Sequence, residues 1–146
     1  MRCIRAALAA LAVIALAGCE DASQPLVVGS KTFAENRILA EVIAIAAEEA
    51  GIPVARRIPF GSTQVNLEGL KRGSIDIYPE YNGTGLVMLG QPPVSDGDEA
   101  FARVRELYGP LGLVWAPELG FANNYALAMQ PGQARDLKVS TMSELA

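Results

Sequence analysis

Apolar residues occur from residue 26 onward in short runs, or in alternation with polar residues, as they do in β-strands. The first run covers residues 26–28, and the following Gly29–Ser30 ends it. At 75–78, two isoleucines alternate with a polar residue and lead into a tyrosine. The predicted strands cover residues 26–28, 54–60, 75–78, 113–115 and 125–129.

Helical spacing separates several of these strands. In the segment 34–50 the apolar residues recur every three or four positions, and Gly51 and Pro53 stop the pattern. The predicted helices cover residues 34–50, 64–72 and 98–108. A capping-box pattern at 141–144 predicts the start of a fourth helix.

Strands and helices alternate with short connections, which predicts an α/β fold. The roughly 125 residues from the first strand onward are enough for one compact core. Two segments are expected to interrupt the alternation. Asn82 and Gly83 are predicted to form a turn, with no helix beginning there, and Pro131–Gly132 is predicted to break the chain.

The N-terminal segment differs from the rest of the chain. Two arginines precede an apolar stretch at 6–17, and Leu-Ala-Gly-Cys at 16–19 closes it with small residues. This layout predicts a secretory signal peptide over 1–18, too short to span a bilayer. The ending also resembles the lipobox of bacterial lipoproteins, which implies lipid attachment at Cys19 and a polar tether at 19–25. An ordinary thiol after an ordinary signal peptide is the alternative.

Composition narrows the possible functions. Of the 12 basic residues two lie in the signal peptide, which leaves 10 against 16 acidic residues and a net charge of −6. That balance argues against nucleic-acid binding, which needs clustered Lys and Arg. The chain has no histidine, the commonest general base and metal ligand. Asp76 and Glu80 are interpreted as structural residues rather than a catalytic pair. The sequence therefore predicts no enzyme, no metal and no cofactor.

The four tyrosines fall into two groups. Tyr78 continues an apolar alternation and Tyr108 lies on an apolar helical stripe, so both are predicted to pack in the core. Tyr81 and Tyr125 have polar, loop-like neighbours and lie near strands. Ligands of open α/β sheets bind at the carboxyl ends of the strands, which makes these two tyrosines candidate ligand contacts. For Tyr81, packing against a turn is the alternative.

Four linked motifs then make the sequence similar to a known family. They are Val-Gly-Ser-Lys-Thr-Phe-Ala-Glu at 28–35, Gly-Ser-Thr-Gln-Val at 61–65, Leu-Lys-Arg-Gly-Ser-Ile-Asp-Ile-Tyr-Pro-Glu-Tyr-Asn-Gly-Thr-Gly at 70–85 and Leu-Gly-Phe-Ala-Asn-Asn-Tyr-Ala-Leu at 119–127. In order and spacing they resemble the substrate-binding proteins of osmoprotectant ABC transporters. Those proteins capture glycine betaine, choline, carnitine and related quaternary amines.

The resemblance implies roles for four residues. In that family a trimethylammonium group is held by tyrosine faces, because a cation without N–H groups cannot donate hydrogen bonds and is stabilised by aromatic rings. Tyr81 and Tyr125 match cage tyrosines of the family. Lys31 and Thr84 match the residues expected to bind the carboxylate of the ligand. From the residues alone, a solvated lysine ahead of a helix is the alternative for Lys31.

Other polar and aromatic residues in or near these motifs are predicted to have supporting roles. Three aromatic residues are predicted to pack in the core: Phe33, Trp115 and Phe121. Four amides could orient the cage by hydrogen bonds without being ligands: Asn36, Gln64, Asn123 and Asn124.

The resemblance also implies a type II periplasmic-binding-protein fold, in which two lobes close on the ligand. Residues 26–122 would form the first lobe, and 123–146 the hinge crossover and the beginning of the second lobe. The chain is therefore expected to be a fragment, a truncated product or one half of a split protein.

The function implied is that of a lipid-anchored component which delivers a quaternary amine to an ABC permease, in the periplasm or on the outer face of the cytoplasmic membrane. A remnant that no longer transports is one alternative. A sensory or protein-interaction module built on the same lobe is another.

Overall fold

The computed structural model describes residues 24–123 and 127–145, and the chain divides into two compact units between Trp115 and Ala116. The signal peptide and Cys19 lie outside the described residues, as does Tyr125. The lobe boundary at residues 122–123 stays a prediction. None of the helices among the described residues is long and apolar enough to cross a membrane.

A small parallel sheet organises the first unit. β1 (Leu26–Gly29) pairs in parallel with β2 (Val54–Arg57), with Leu26 opposite Val54. The connection between them is helix α1 (Ala34–Glu49), as a parallel pair requires. On the other side of β1, Ile77 forms an isolated parallel bridge. The α/β prediction is therefore confirmed, with β1 between its two neighbours.

The segment predicted as a strand at 75–78 is reduced to that single bridge. The Asp76 side chain replaces one of the backbone hydrogen bonds that would join this segment to β1. Its Oδ2 accepts the Val27 backbone N–H at 2.7 Å. The backbone N–H of Asp76 donates to Val27 O, and Ile77 O accepts from the N–H of Gly29. Asp76 thus has the structural role predicted for it. β2 is shorter than the strand predicted at 54–60. It ends at Arg57, before Pro59, which has no N–H to donate.

The other helices of the first unit are α2 (Thr63–Lys71), α3 (Asn82–Met88) and α4 (Gly97–Tyr108), followed by a 3₁₀ turn. The Ser62 hydroxyl accepts the Val65 N–H at 3.4 Å at the start of α2. The Asp96 carboxylate accepts the Glu99 N–H at 2.8 Å at the start of α4. The predicted helices at 34–50, 64–72 and 98–108 are confirmed to within a residue at either end.

Helix α3 corrects the prediction of a turn at Asn82 and Gly83. Its two glycines are poor helix formers, so tertiary contacts must hold it. The Trp115 Nε1–H donates to Asn82 Oδ1 at 3.0 Å, and the Tyr108 hydroxyl donates to the Gly85 carbonyl at 3.0 Å. Both partners lie far along the chain, which is why local sequence does not reveal the helix.

One apolar cluster lies between α3 and α4. Tyr108 is buried there, as predicted, and its ring packs on Trp115 at a centroid distance of 4.8 Å and an angle of 60°. Trp115 therefore packs in the core, as predicted, although 113–115 is not a strand. The buried members of this cluster are Leu67, Leu86, Ala100, Val104 and Tyr108.

A second cluster joins α1 to β1. The helix buries small residues, including Ala40 and Ala44, against Val28. Small residues let the helix approach the sheet closely, and the larger Ile38 and Val42 are exposed instead. The short loop at 30–33 keeps the N-terminal end of α1 next to the carboxyl end of β1.

The second unit contains α5 (Pro131–Leu137) and a 3₁₀ turn at Met142–Glu144. The predicted break at Pro131 is wrong, because proline in the first turn starts a helix without losing a hydrogen bond.

The predicted capping box is confirmed between Thr141 and Glu144, although only a 3₁₀ turn follows it. Hydrogen bonds from Ser140, then from the Thr141 backbone, lower the pKa of Glu144. Residues 127–129, predicted as part of a strand, form none.

Candidate ligand-binding site

The candidate site is built where β1 and the Ile77 segment end. Lys31 and Phe33 follow β1 and lead into α1, while Glu80 and Tyr81 follow Ile77 and lead into α3. Both segments run in parallel, so their carboxyl ends meet at one edge of the sheet. This is the edge at which the sequence predicted ligand contacts.

A buried ion pair connects the two segments. The Lys31 ammonium pairs with the Glu80 carboxylate, and only 6 % and 7 % of their side chains are exposed. Lys31 is therefore not a solvated lysine ahead of a helix. Removing two charges from water is costly, so a pair this deeply buried needs further hydrogen bonds to be tolerated.

Glu80 has those further hydrogen bonds. Its Oε1 accepts the Tyr81 backbone N–H at 2.8 Å, and its Oε2 accepts the Tyr78 hydroxyl at 3.1 Å. Burial, then the charge of Glu80 and this hydrogen bond, raise the pKa of the Tyr78 phenol well above its usual value. Burial, then the charge of Glu80, raise the pKa of Tyr108 to about 12. Tyr78 is half-buried rather than fully in the core.

A fully buried amide, Asn36, fixes the backbone on either side of the ion pair. Its Oδ1 accepts the Lys31 backbone N–H at 2.7 Å, and its Nδ2–H donates to the Pro79 carbonyl at 2.8 Å. One side chain thus joins the loop after β1 to the loop before α3. Asn36 therefore orients the segments that carry Lys31 and Tyr81.

Asn66, on α2, extends this framework. Its Nδ2 group donates to the carbonyl oxygens of Ser30, Gly61 and Ser62 at 2.9–3.1 Å. The loop that carries Lys31 is therefore also held from the side of α2.

Tyr81 is half-buried, and its ring is held by several contacts. Its hydroxyl donates to Glu35 Oε1 at 2.5 Å. The Phe33 ring stacks against it, with centroids 6.2 Å apart and planes 28° apart. The Lys31 Nζ lies 5.0 Å from the Tyr81 centroid and 6.0 Å from that of Phe33. Contacts with Glu35, Phe33 and Lys31 therefore set the orientation of the ring.

Phe33 was predicted to pack in the core, and the structure corrects this. Its side chain is 42 % exposed and lies against Tyr81, because it is the N-cap residue of α1 and projects from the end of the helix. The prediction for Phe121, in the second unit, is also wrong, since it is 51 % exposed.

The remaining residues predicted for the site or its support are half-buried, exposed or outside the described residues. Thr84 is half-buried in the first turn of α3, three residues after Tyr81. Gln64 and Asn123 are exposed. Tyr125 and Asn124 lie outside the described residues.

The candidate site offers groups that can contact a small molecule. Over residues 24–123 and 127–145, no group of three or more acidic or cysteine side chains could hold a metal ion. What the site offers is a fixed aromatic face, a buried ion pair and a nearby carboxylate. Sequence reasoning missed the contacts of Phe33 and Glu35 with Tyr81, although all three lie in the quoted motifs.

Comparisons with known proteins agree with this geometry. The family model described as the substrate-binding domain of an ABC-type glycine betaine transport system matches residues 24–146. A glycine-betaine-binding protein of Pseudomonas aeruginosa is 35 % identical over 99 % of this chain and 46 % of its own length. An ergothioneine transport permease and binding protein, EgtU of Helicobacter pylori, is 34 % identical over 84 % of this chain and 22 % of its own length.

A solved structure of a related protein has the same fold as this chain. The solved structure of apo YehZ from Escherichia coli matches with a TM-score of 0.68 at 25 % identity, over 84 % of this chain and 45 % of that one. The type II periplasmic-binding-protein fold is thereby confirmed for the part that the chain covers. The chain spans about half the length, or less, of the relatives it matches.

Proposed function

The chain belongs to the family of substrate-binding domains of ABC-type glycine betaine transport systems, and on this premise we propose that it binds a quaternary ammonium compound such as glycine betaine or choline. The observation that carries the proposal is the Tyr81 ring. It contacts Glu35 and Phe33 at the edge where β1 and the parallel Ile77 segment end, within a family motif.

The physical basis is the interaction of a diffuse cation with an aromatic face. A trimethylammonium group has no N–H to donate, so a hydrogen-bonding site gives it little stabilisation. Each aromatic face contributes about 0.5–2 kcal/mol, more when water is excluded. A ring that is already oriented loses little entropy on binding, which improves affinity further.

We assign the polar end of the ligand to two residues. Glycine betaine and ergothioneine, named in the relatives, both carry a trimethylammonium group and a carboxylate. Lys31 has three N–H donors and uses one on Glu80 within the described residues, so it retains donors for a carboxylate. Thr84 supplies a hydroxyl one helical turn after Tyr81. Tyr125 is proposed as a second aromatic face from its motif alone.

In the wider assembly we propose that the protein works with an ABC permease outside the cytoplasm and performs no catalysis. Residues 26–122 would form the first lobe of the binding protein, and 123–146 the hinge crossover and start of the second. Closure of two lobes would then enclose the ligand and present it to the permease.

Calorimetric titration tests this function directly. Glycine betaine and choline are titrated into the 146-residue chain, and into the chain together with any coding sequence that follows residue 146. Saturable binding with 1:1 stoichiometry by either protein is the expected result. If neither protein gives heat or a thermal shift with any quaternary amine, the proposed function is wrong.

Lipid attachment at Cys19 is proposed from the lipobox-like sequence. Cells that express the protein and receive a radiolabelled palmitate precursor are expected to label it, and a Cys19→Ala variant is expected to remain unlabelled and uncut. Equal labelling of the two proteins would contradict the anchor at this cysteine.

A further inference from the structure

Lys31 poses an electrostatic difficulty for the proposed ligand. Its ammonium lies 5.0 Å from the centroid of the Tyr81 ring. A cation bound against that ring would lie within about 6 Å of the centroid, and so at most about 11 Å from Lys31 Nζ. At this distance, with an effective dielectric constant near 20, an uncompensated ammonium would weaken cation binding by about tenfold.

Glu80 removes that difficulty by its position. Its carboxylate pairs directly with the Lys31 ammonium, and both side chains are more than nine-tenths buried. Solvent therefore screens Lys31 poorly, and for a ligand without a carboxylate, such as choline, the compensating charge has to come from the protein. The same carboxylate also accepts the backbone N–H of Tyr81, so one group sets both the charge beside the ring and the position of its backbone.

We propose that Glu80 is a positioning residue that determines the charge specificity of the site. By neutralising Lys31 it permits a positively charged headgroup to occupy the Tyr81 face. It does so without touching the ligand. The inference rests on the proposed function, because it concerns the affinity of the same site for a quaternary ammonium ion.

A Glu80→Gln substitution separates charge from structure. The glutamine amide has nearly the shape of the carboxylate, and its oxygen can still accept from Lys31 and from the Tyr81 N–H. The hydrogen bond with Tyr78 reverses, because the glutamine amide can only donate to the phenol oxygen, so the substitution removes the negative charge while each contact can still be made. A role confined to folding would weaken the binding of every ligand alike, whereas an electrostatic role weakens the binding of cationic headgroups alone.

The experiment compares glycine betaine with its uncharged-headgroup isostere 3,3-dimethylbutanoate, in which carbon replaces nitrogen. Both carry the same carboxylate, so any change in its interaction with Lys31 cancels in the ratio of the two dissociation constants. Dissociation constants are measured by calorimetry or NMR titration on the chain together with any coding sequence that follows residue 146. Glu68→Gln, in an exposed ion pair with Lys71, is the matched control.

In the original protein, glycine betaine is expected to bind more tightly than the isostere. Glu80→Gln should reduce this preference by about tenfold, and a Lys31→Met/Glu80→Gln double variant should restore most of it, since neither charge then remains. Glu68→Gln should leave the preference unchanged.

Two results overturn the inference in different ways. If the original protein binds the amine and Glu80→Gln keeps the full preference, the charge role of Glu80 is wrong while the proposed function stands. If the original protein binds no quaternary amine, the proposed function fails and the inference with it.

Discussion

Replacing Tyr81 by leucine is expected to weaken glycine betaine binding by about 5- to 30-fold, which corresponds to about 1–2 kcal/mol. Leucine keeps an apolar side chain of useful size but has no π-face, so the substitution removes the cation–π contribution. The ring that is lost is the one held between Glu35 and Phe33 at the end of the sheet. Calorimetric titration of both proteins measures the change.

A matched variant, Tyr81→Phe, keeps the ring and removes only the hydroxyl that donates to Glu35. It is expected to lose much less affinity than Tyr81→Leu, because the aromatic face is still present. Thermal unfolding of each variant shows whether it is folded at the temperature of the titration. If a folded Tyr81→Leu protein binds as tightly as the original, the role assigned to Tyr81 is wrong.

Gly85→Ala is expected to destabilise the first unit by about 1–3 kcal/mol. A Cβ at this position would lie 2.4 Å from Cη2 of Trp115 and 3.1 Å from two further ring atoms. The indole cannot move aside easily, since its Nε1–H donates to Asn82 and its face packs on Tyr108. The overpacking therefore outweighs the gain in helix propensity that alanine normally brings.

Gly83→Ala, on the same helix, is the control. A Cβ there would meet no atom within 4 Å, so only the propensity gain of up to about 1 kcal/mol remains. The two substitutions are identical in chemistry and expected to be opposite in sign. Urea denaturation followed by tryptophan fluorescence gives both free energies of unfolding. If both variants are stabilised to the same extent, Trp115 does not pack against α3 as the structure has it.

Periodicity predicted the longer helices well, because α1, α2 and α4 each have a stop signal or an N-cap residue in the sequence. It failed where a distant side chain decides the local structure. The Asp76 side chain replaces a backbone hydrogen bond to β1. Trp115 and Tyr108 stabilise α3 by hydrogen bonds despite its two glycines. Such contacts between residues far apart leave no local pattern.

The positions of some candidate site residues were predictable as well. The motifs indicated Lys31 and Tyr81 as candidates, and the structure places them after β1 and after the parallel Ile77 bridge, with the Lys31 Nζ 5.0 Å from the Tyr81 centroid. The burial of Lys31, its pairing with Glu80 and the exposure of Phe33 were not predictable. The ion pair joins segments 49 residues apart, and the exposure of Phe33 follows from its position at the end of α1, so neither is a property of a single motif.

The most direct measurement is an NMR experiment on intermolecular contacts. The protein carries ring-labelled tyrosine, glycine betaine is added in excess, and nuclear Overhauser effects are recorded between the N-methyl protons and the tyrosine rings. Resonances of Tyr81 are assigned from the spectrum of Tyr81→Phe. The predicted result is a set of cross-peaks from the N-methyl protons to the Tyr81 ring, lost in that variant. Saturable binding with no such cross-peak would contradict a cation site at Tyr81.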